Sequence, residues 1–329
     1  MPLTGVYFIP SNPNASTAQA TVVERLNSAF NEEPTLVTRW ALEHKLMRDT
    51  PSCLPQSSTQ RSAAPRYMQF LSLTHYPNHG FIYTSQQSDV AGGGASTGTV
   101  TPTSSQSSQA VPALAPMVMT TVPHPSTGPL YQHFLYACQP FWCHRHTTTV
   151  LGGMVYDIGD FRVRVGDVRQ TQPTVRVRGT VVEIEWKGPS LITTLSALYQ
   201  SKKQKKAKAS QPFTFESGED ADDEDSGIDM AFPEGVEEAD IDAEYTVTAS
   251  LIRGFWGKFG IDGAREAIIV PDIGKETKHR LQVLKQRGKQ GLDQARNEDG
   301  SGLQGDDDPD PDAGVDVARQ FMEILRFNR

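Results

Sequence analysis

The 329 residues carry 39 acids against 31 bases, a formal net charge of −8, and 37% apolar side chains. That apolar share lies below the roughly 45–50% of compact globular chains, a range that also counts Gly, and favours one folded domain with much unfolded chain over two average domains. No run approaches the ~20 apolar residues of a membrane-crossing helix, Met1 to Pro13 lacks a basic and apolar leader, and three cysteines, Cys53, Cys138 and Cys143, fit a reducing compartment better than a disulfide scaffold.

In chain order, Thr4 to Ile9 is a short apolar run closed by Pro10, a first strand. Ser16 to Phe30 has helical spacing, with Ala20, Val23, Leu26, Asn27 and Phe30 near one face, and Ser16 with Gln19 reads as a capping box. Thr35 to Met47 alternates loosely as a strand. Pro51 to Ala64 is a Ser/Gln/Pro loop. Arg66 to Leu73 and Phe81 to Thr84 form the next strand pair around a turn at Pro77 to Gly80. Residues 85–114 are mostly Ser, Thr, Gln, Gly, Ala and Pro with Asp89 the one charge, a flexible insert. Met117 to Val122 resumes as a strand, and Pro129 to Trp142 reads as a helix opened by its proline.

The clearest segment comes next. Asp160 to Gln170 places Phe161, Val163 and Val165 on one side and Arg162 and Arg164 on the other. Val175 to Lys187 alternates too, but its apolar parity slips between Val181 and Val182, so a bulge is expected there. The pair predicts an antiparallel hairpin with a dry face and a wet, charged one. Ser190 to Gln200 follows as a helix capped by Ser190. Residues 201–244 then read as a linker. It holds the run Lys202, Lys203, Lys205, Lys206 and Lys208, either a nuclear-import signal or a solvated stretch, and an acidic tract, Glu216 to Glu244, with fourteen acids and no base. Tyr245 to Asp272 is apolar enough to be ordered. Residues 273–314 read as a second linker with seven more acids between Glu298 and Asp312. Without the two tracts the remainder holds 18 acids against 31 bases, a mildly basic body. Val317 to Phe327 closes as an amphipathic helix with Val317, Phe321, Ile324 and Leu325 as its docking stripe. An isolated helix of this length is marginal in water, so it is expected to dock back on the chain's own barrel rather than on a partner.

Chemistry-bearing patterns are sparse. Glu183, Glu185 and Lys187 share one side of a strand at about 7 Å spacing. This E-x-E-x-K pattern resembles the metal- and triphosphate-binding strand of triphosphate-tunnel enzymes, with Arg162, Arg164, Arg176 and Arg178 near enough to line a tunnel. The competing reading pairs the glutamates with arginines of the adjacent strand. Companion carboxylates are scarce, since Thr35 to Met47 offers Glu43 and Arg66 to Leu73 offers none. Cys138, Cys143, His144 and His146 have no recognisable zinc-site spacing. The sequence carries no P-loop, no G-x-G-x-x-G and no G-x-S-x-G. No catalytic, cofactor-binding or metal-ligating residue is therefore assigned, and no cofactor is expected.

The segments Thr4–Pro10, Gly159–Val168, Arg178–Trp186 and Ala318–Phe327, in that order and spacing, resemble the fungal form of subunit 20 of the Mediator complex, part of the head module of the RNA polymerase II coactivator. The resemblance covers the chain outside the inserts. It implies an α+β fold, a mostly antiparallel β-barrel with flanking helices and a triphosphate-tunnel-like shape, which would account for the E-x-E-x-K echo without activity. It further implies a nuclear, non-catalytic scaffold that pairs with Mediator subunit 18, is tethered by subunit 8 among the other head-module subunits, contacts the TATA-binding protein, and links transcription regulators to the polymerase. On this reading one barrel domain is built from about 1–84, 115–200, 245–272 and 315–329, with neither membrane nor sequence-specific nucleic acid as partner. The alternative is a metal-dependent triphosphate phosphohydrolase using Glu183, Glu185 and Lys187.

Overall fold

The computed structural model describes residues 3–11, 17–50, 66–85, 117–139, 141–173, 175–209, 235–290, 310 and 312–326. The insert expected at 85–114 lies almost wholly outside them, as does Pro51 to Ala64; of the insert expected at 201–244, residues 210–234 lie outside them, whereas 201–209 belong to a helix and a further helix starts at Glu238. The elements run β1 (Leu3–Pro10), α1 (Ala18–Ser28), β2 (Thr35–Asp49), β3 (Tyr67–Leu73), β4 (His79–Ser85), β5 (Met117–Pro123), α2 (His124–Tyr136), β6 (Trp142–Ile158), β7 (Phe161–Gln172), β8 (Arg176–Trp186), α3 (Leu191–Ala209), α4 (Glu238–Gly257), β9 (Arg265–Ala267), α5 (Lys275–Gln290) and α6 (Val315–Leu325). Among the described residues the strands form one nine-stranded sheet in the order β5-β4-β3-β2-β6-β7-β8-β1-β9, in which β1 pairs antiparallel with β8 and β9, and β2, β3, β4 and β5 pair antiparallel in succession. The α+β class stands, but the expected closed barrel does not. The order ends on two edge strands, and β9 offers a ladder of three residues.

The chain groups into two compact units: Met1–Ala41, Val150–Val168 and Val177–Arg329; and Leu42–Thr149 with Arg169–Arg176. In the second unit, β3 and β4 form the hairpin read from the sequence, with Leu71 opposite Phe81. The helix α2 begins at His124, not Pro129, and ends before Trp142, which already belongs to β6. Its Tyr131 packs on Met47, Met68 and Phe70. Pro129 lies inside it, where it removes one amide donor and crowds the carbonyl one turn earlier.

In the first unit, one sheet face packs Tyr7 and Ile9 of β1, Val163 and Val165 of β7, and Val182 and Ile184 of β8 against Ile252, Phe255, Trp256 and Phe259 of α4 and Leu26 of α1. Tyr7 stacks on Trp256 with ring centroids 4.2 Å apart. The α1 stripe centres on Val22 and Leu26, and Ala20 is exposed. The helix starts after Thr17, whose side chain makes no cap bond. Ser16 lies outside the described residues. A second cluster joins Leu3, Ile192, Leu195, Ile241, Tyr245 and Leu281.

Three further expectations change. The bulge at Val181–Val182 is absent from the ladder with β1, where the register runs unbroken from Leu3 opposite Trp186 to Pro10 opposite Gly179. Val181 and Val182 are both fully buried, so the parity slip reflects a strand covered on both faces. The helix α3 passes Gln200 and carries its backbone through the lysine run to Ala209; Ser190 caps it as expected, accepting the Thr193 amide at 3.3 Å. Finally, α5 occupies 275–290, inside the stretch read as linker. Its buried stripe is Thr277, Arg280, Leu281 and Leu284, and the Arg280 guanidinium, 1% exposed, is held by Asp310, by Asp312 at 3.0 Å and by Ser196.

Candidate functional site

The strand β8 carries the residues singled out for chemistry, and its pairing with β1 fixes what they face. Val6 opposes Glu183 and Thr4 opposes Glu185, so these four side chains share a face. That face is covered by α6. The Thr4 hydroxyl donates to Gln320 Oε1 at 2.6 Å, and Gln320 Nε2 donates to the carbonyls of Thr4 at 2.7 Å and Ile268 at 2.8 Å. Phe321 packs near Trp40, centroids 5.9 Å apart. Trp40 reaches this position because Gly153 leaves room: a Cβ there would come within 2.2 Å of the indole nitrogen, which donates to Val165 O at 3.2 Å.

The charges on this face are paired. Arg164 donates to Glu183 at 2.6 Å and lies 2.7 Å from Glu185 Oε2. Lys187 and Arg162 both go to Asp157, at 3.2 Å and 2.8 Å. The adjacent-strand arginine pairing anticipated from the sequence is present, but the face is not wet: Glu183 is 0% exposed and Arg164 is 7% exposed. Burial pushes the Glu183 carboxyl above its usual value, with Arg164 opposing. Asp157 is held below its usual value by Arg162, with Lys187 helping against burial. The two glutamates that would hold a divalent cation face one guanidinium instead, and Lys187, the phosphate ligand of the tunnel reading, is turned to Asp157. Arg176 donates to Gln170 at 3.2 Å.

The helix α6 is buried almost all round, with Val317, Phe321, Ile324 and Leu325 joined by Val315, Ala318 and Met322. Its polar residues are satisfied by neighbours. Asp316 accepts from the Tyr245 hydroxyl at 2.6 Å and the Gly274 amide at 3.1 Å. Arg319 binds Glu276 at 2.5 Å and Asp316 at 3.0 Å. Arg265 donates to Ile324 O at 2.9 Å, satisfying a carbonyl of the last turn. Burial raises the Asp316 carboxyl above its usual range, against its bonds to Tyr245 and Arg319. Sequence reasoning found the apolar stripe of α6 but not Asp316, Arg319 and Gln320. Their partners Tyr245, Glu276 and Thr4 are 40 to more than 300 residues away, and periodicity carries no such signal.

In the other unit, Cys143 donates to Arg48 O at 3.2 Å and His144 lies 3.0 Å from Thr147 Oγ1. Among the described residues no group of three or more His, Cys, Asp or Glu is arranged to hold a metal ion. The lysines of the import run lie on the α3 backbone, and their side chains are outside the described set.

Comparison with known proteins adds a family. The family model described as TATA-binding related factor (TRF) of subunit 20 of Mediator complex matches residues 1–326. No curated protein matches. Among solved structures, the structure of PH1819 protein from Pyrococcus horikoshii OT3 is similar at 10% identity, covering 65% of this chain and 91% of that one, with a TM-score of 0.23; a likeness that weak supports nothing further. The family match spans the three expected inserts and every element described above, and on it the chain belongs to the Mediator subunit 20 family.

Proposed function

We propose that this Mediator subunit is a non-catalytic scaffold of the head module, working in the nucleus as a partner of Mediator subunit 18 and linking transcription regulators to RNA polymerase II. Subunit 8 tethers the pair to the other head subunits, and the TATA-binding protein is a further contact. The family match over residues 1–326 carries the reading. The site geometry supports it: the sheet face bearing Glu183 and Glu185 is covered by the chain's own α6, and both carboxylates face Arg164. The docking stripe Val317, Phe321, Ile324 and Leu325 serves this chain internally, which leaves the opposite ends of the sheet order and the outer helix faces for partners. The lysine run from Lys202 to Lys208 is the nuclear-import element. Affinity purification of the tagged chain from nuclear extract tests the proposal. Stoichiometric recovery of subunits 18 and 8 with the rest of the head is expected. Recovery of the chain without any Mediator subunit would overturn it.

A further inference from the structure

Where α1 ends, the β6–β7 turn and the last turn of α4 enclose a cavity of about 310 Å³ in the first unit, at the small end of ligand-sized pockets. Its floor is aromatic. Phe255 stacks on Phe161 with centroids 4.2 Å apart and on Phe30 at 4.5 Å. The wall is only half closed, because Phe30 and Phe161 remain partly exposed. One cation already uses it: the Lys258 ammonium sits 5.1 Å from the Phe30 ring centroid, within the range of a cation–π contact.

The rim is acidic. Glu32 and Asp160 line the cavity, both are exposed, and among the described residues neither side chain has an ion pair or hydrogen bond. Glu33 adds a third exposed carboxylate next in the chain. The turn that carries Asp160 also meets Glu32. Gly159 takes φ +50° at the first position of the two-residue β6–β7 loop, a conformation that favours glycine. A Cβ there would lie 2.7 Å from Glu32 Oε2. Glu32 therefore rests against the turn that carries Asp160, and both residues line the cavity with the partly exposed Phe30 and Phe161.

We propose that this cavity is a docking site for an arginine side chain on an extended segment of a partner protein. A planar guanidinium stacks on rings and forks to carboxylates at once, which an ammonium does less well. Phe161 and Phe30 supply the faces, Glu32 and Asp160 the acceptors, and Lys258 swings to solvent as the guest enters. The proposal does not depend on which complex the chain belongs to.

The full chain, labelled with ¹³C at isoleucine methyls, tests it, because Ile158 lines the cavity while Ile184 and Ile252 sit in the core beyond it. The probe is acetyl-Gly-Arg-Gly-amide, with the citrulline peptide as its neutral isostere. A saturable shift of Ile158 is expected, with binding about fivefold weaker for citrulline and about fivefold weaker in the Glu32→Gln, Asp160→Asn double variant. Unchanged Ile184 and Ile252 methyls establish that the double variant is folded. An Ile158 signal that does not move, equal binding of both peptides, or full affinity in the folded double variant would each overturn the proposal.

Discussion

Replacing Phe321 by Ala tests whether α6 holds the first unit together. The ring is 0% exposed and lies against Trp40, on a helix of eleven residues that has almost no solvent-facing side. Such a helix is marginal alone, so its order comes from what it covers. The truncation removes the transfer free energy of the ring and leaves a cavity bounded by Trp40 and the sheet, costing about 3–5 kcal/mol. For a folded body of this size each kcal/mol moves the melting temperature by about 2–4 °C, so a drop of at least about 6 °C follows from these two figures. Circular dichroism melting of the isolated full chain reads it directly. Deleting residues after Gly314 should cost more, since it also orphans the Thr4 and Ile268 carbonyls that Gln320 satisfies. The reasoning fails if either protein melts within about a degree of the parent, the scatter of neutral surface changes. If the truncated chain melts unchanged but no longer binds subunit 18, α6 is an interface element.

Other perturbations have definite signs. Glu183→Ala leaves Arg164 buried without one of its carboxylate partners and should cost about 3–5 kcal/mol in urea unfolding, whereas Arg164→Met with Glu183→Leu should recover much of that; equal losses would refute the account of the pair. In the second unit, burial pushes His44 down to about 4 from 6.5, against its bond to Gln69, and it also neighbours Thr148 and His146. The unfolded chain then binds the proton first, so stability is lost as pH falls from about 6.5 toward 4, by on the order of 3 kcal/mol. Asp316 and Glu183, raised by burial, act with the opposite sign across the carboxylate range, so the parent is compared with His44→Asn, which should flatten that window; parallel curves would contradict the assignment. Tripolyphosphate hydrolysis with Mn²⁺ should stay at background, and turnover that disappears in Glu185→Ala would revive the tunnel reading.

What the sequence disclosed follows the chemistry of each element. Alternation in Phe161–Val165 and Val177–Val182 announced β7 and β8, because a sheet writes its period of two into any strand with one favoured face. Their second face was not legible. Glu183 and Arg164 look like wet-side residues until a helix from the far end of the chain covers them, and nothing local records that. The same limit hid α5. Its buried stripe contains Arg280 and Thr277, which a hydropathy pattern counts as solvent-facing, and Arg280 becomes a core residue through Asp310 and Asp312. The barrel expectation came from resemblance, and the hydrogen-bonded order, with edges at β5 and β9, does not close. The Phe30–Phe255–Phe161 cavity was illegible for a third reason: its walls come from three segments whose own periodicities are satisfied by the core.

The central claim is that this chain is a structural Mediator subunit that pairs with subunit 18. Co-expression of the full chain with subunit 18 from the same source, followed by gel filtration with light scattering, measures it most directly. A single 1:1 species that survives dilution is the predicted result. Two well-behaved monomers eluting separately would contradict it.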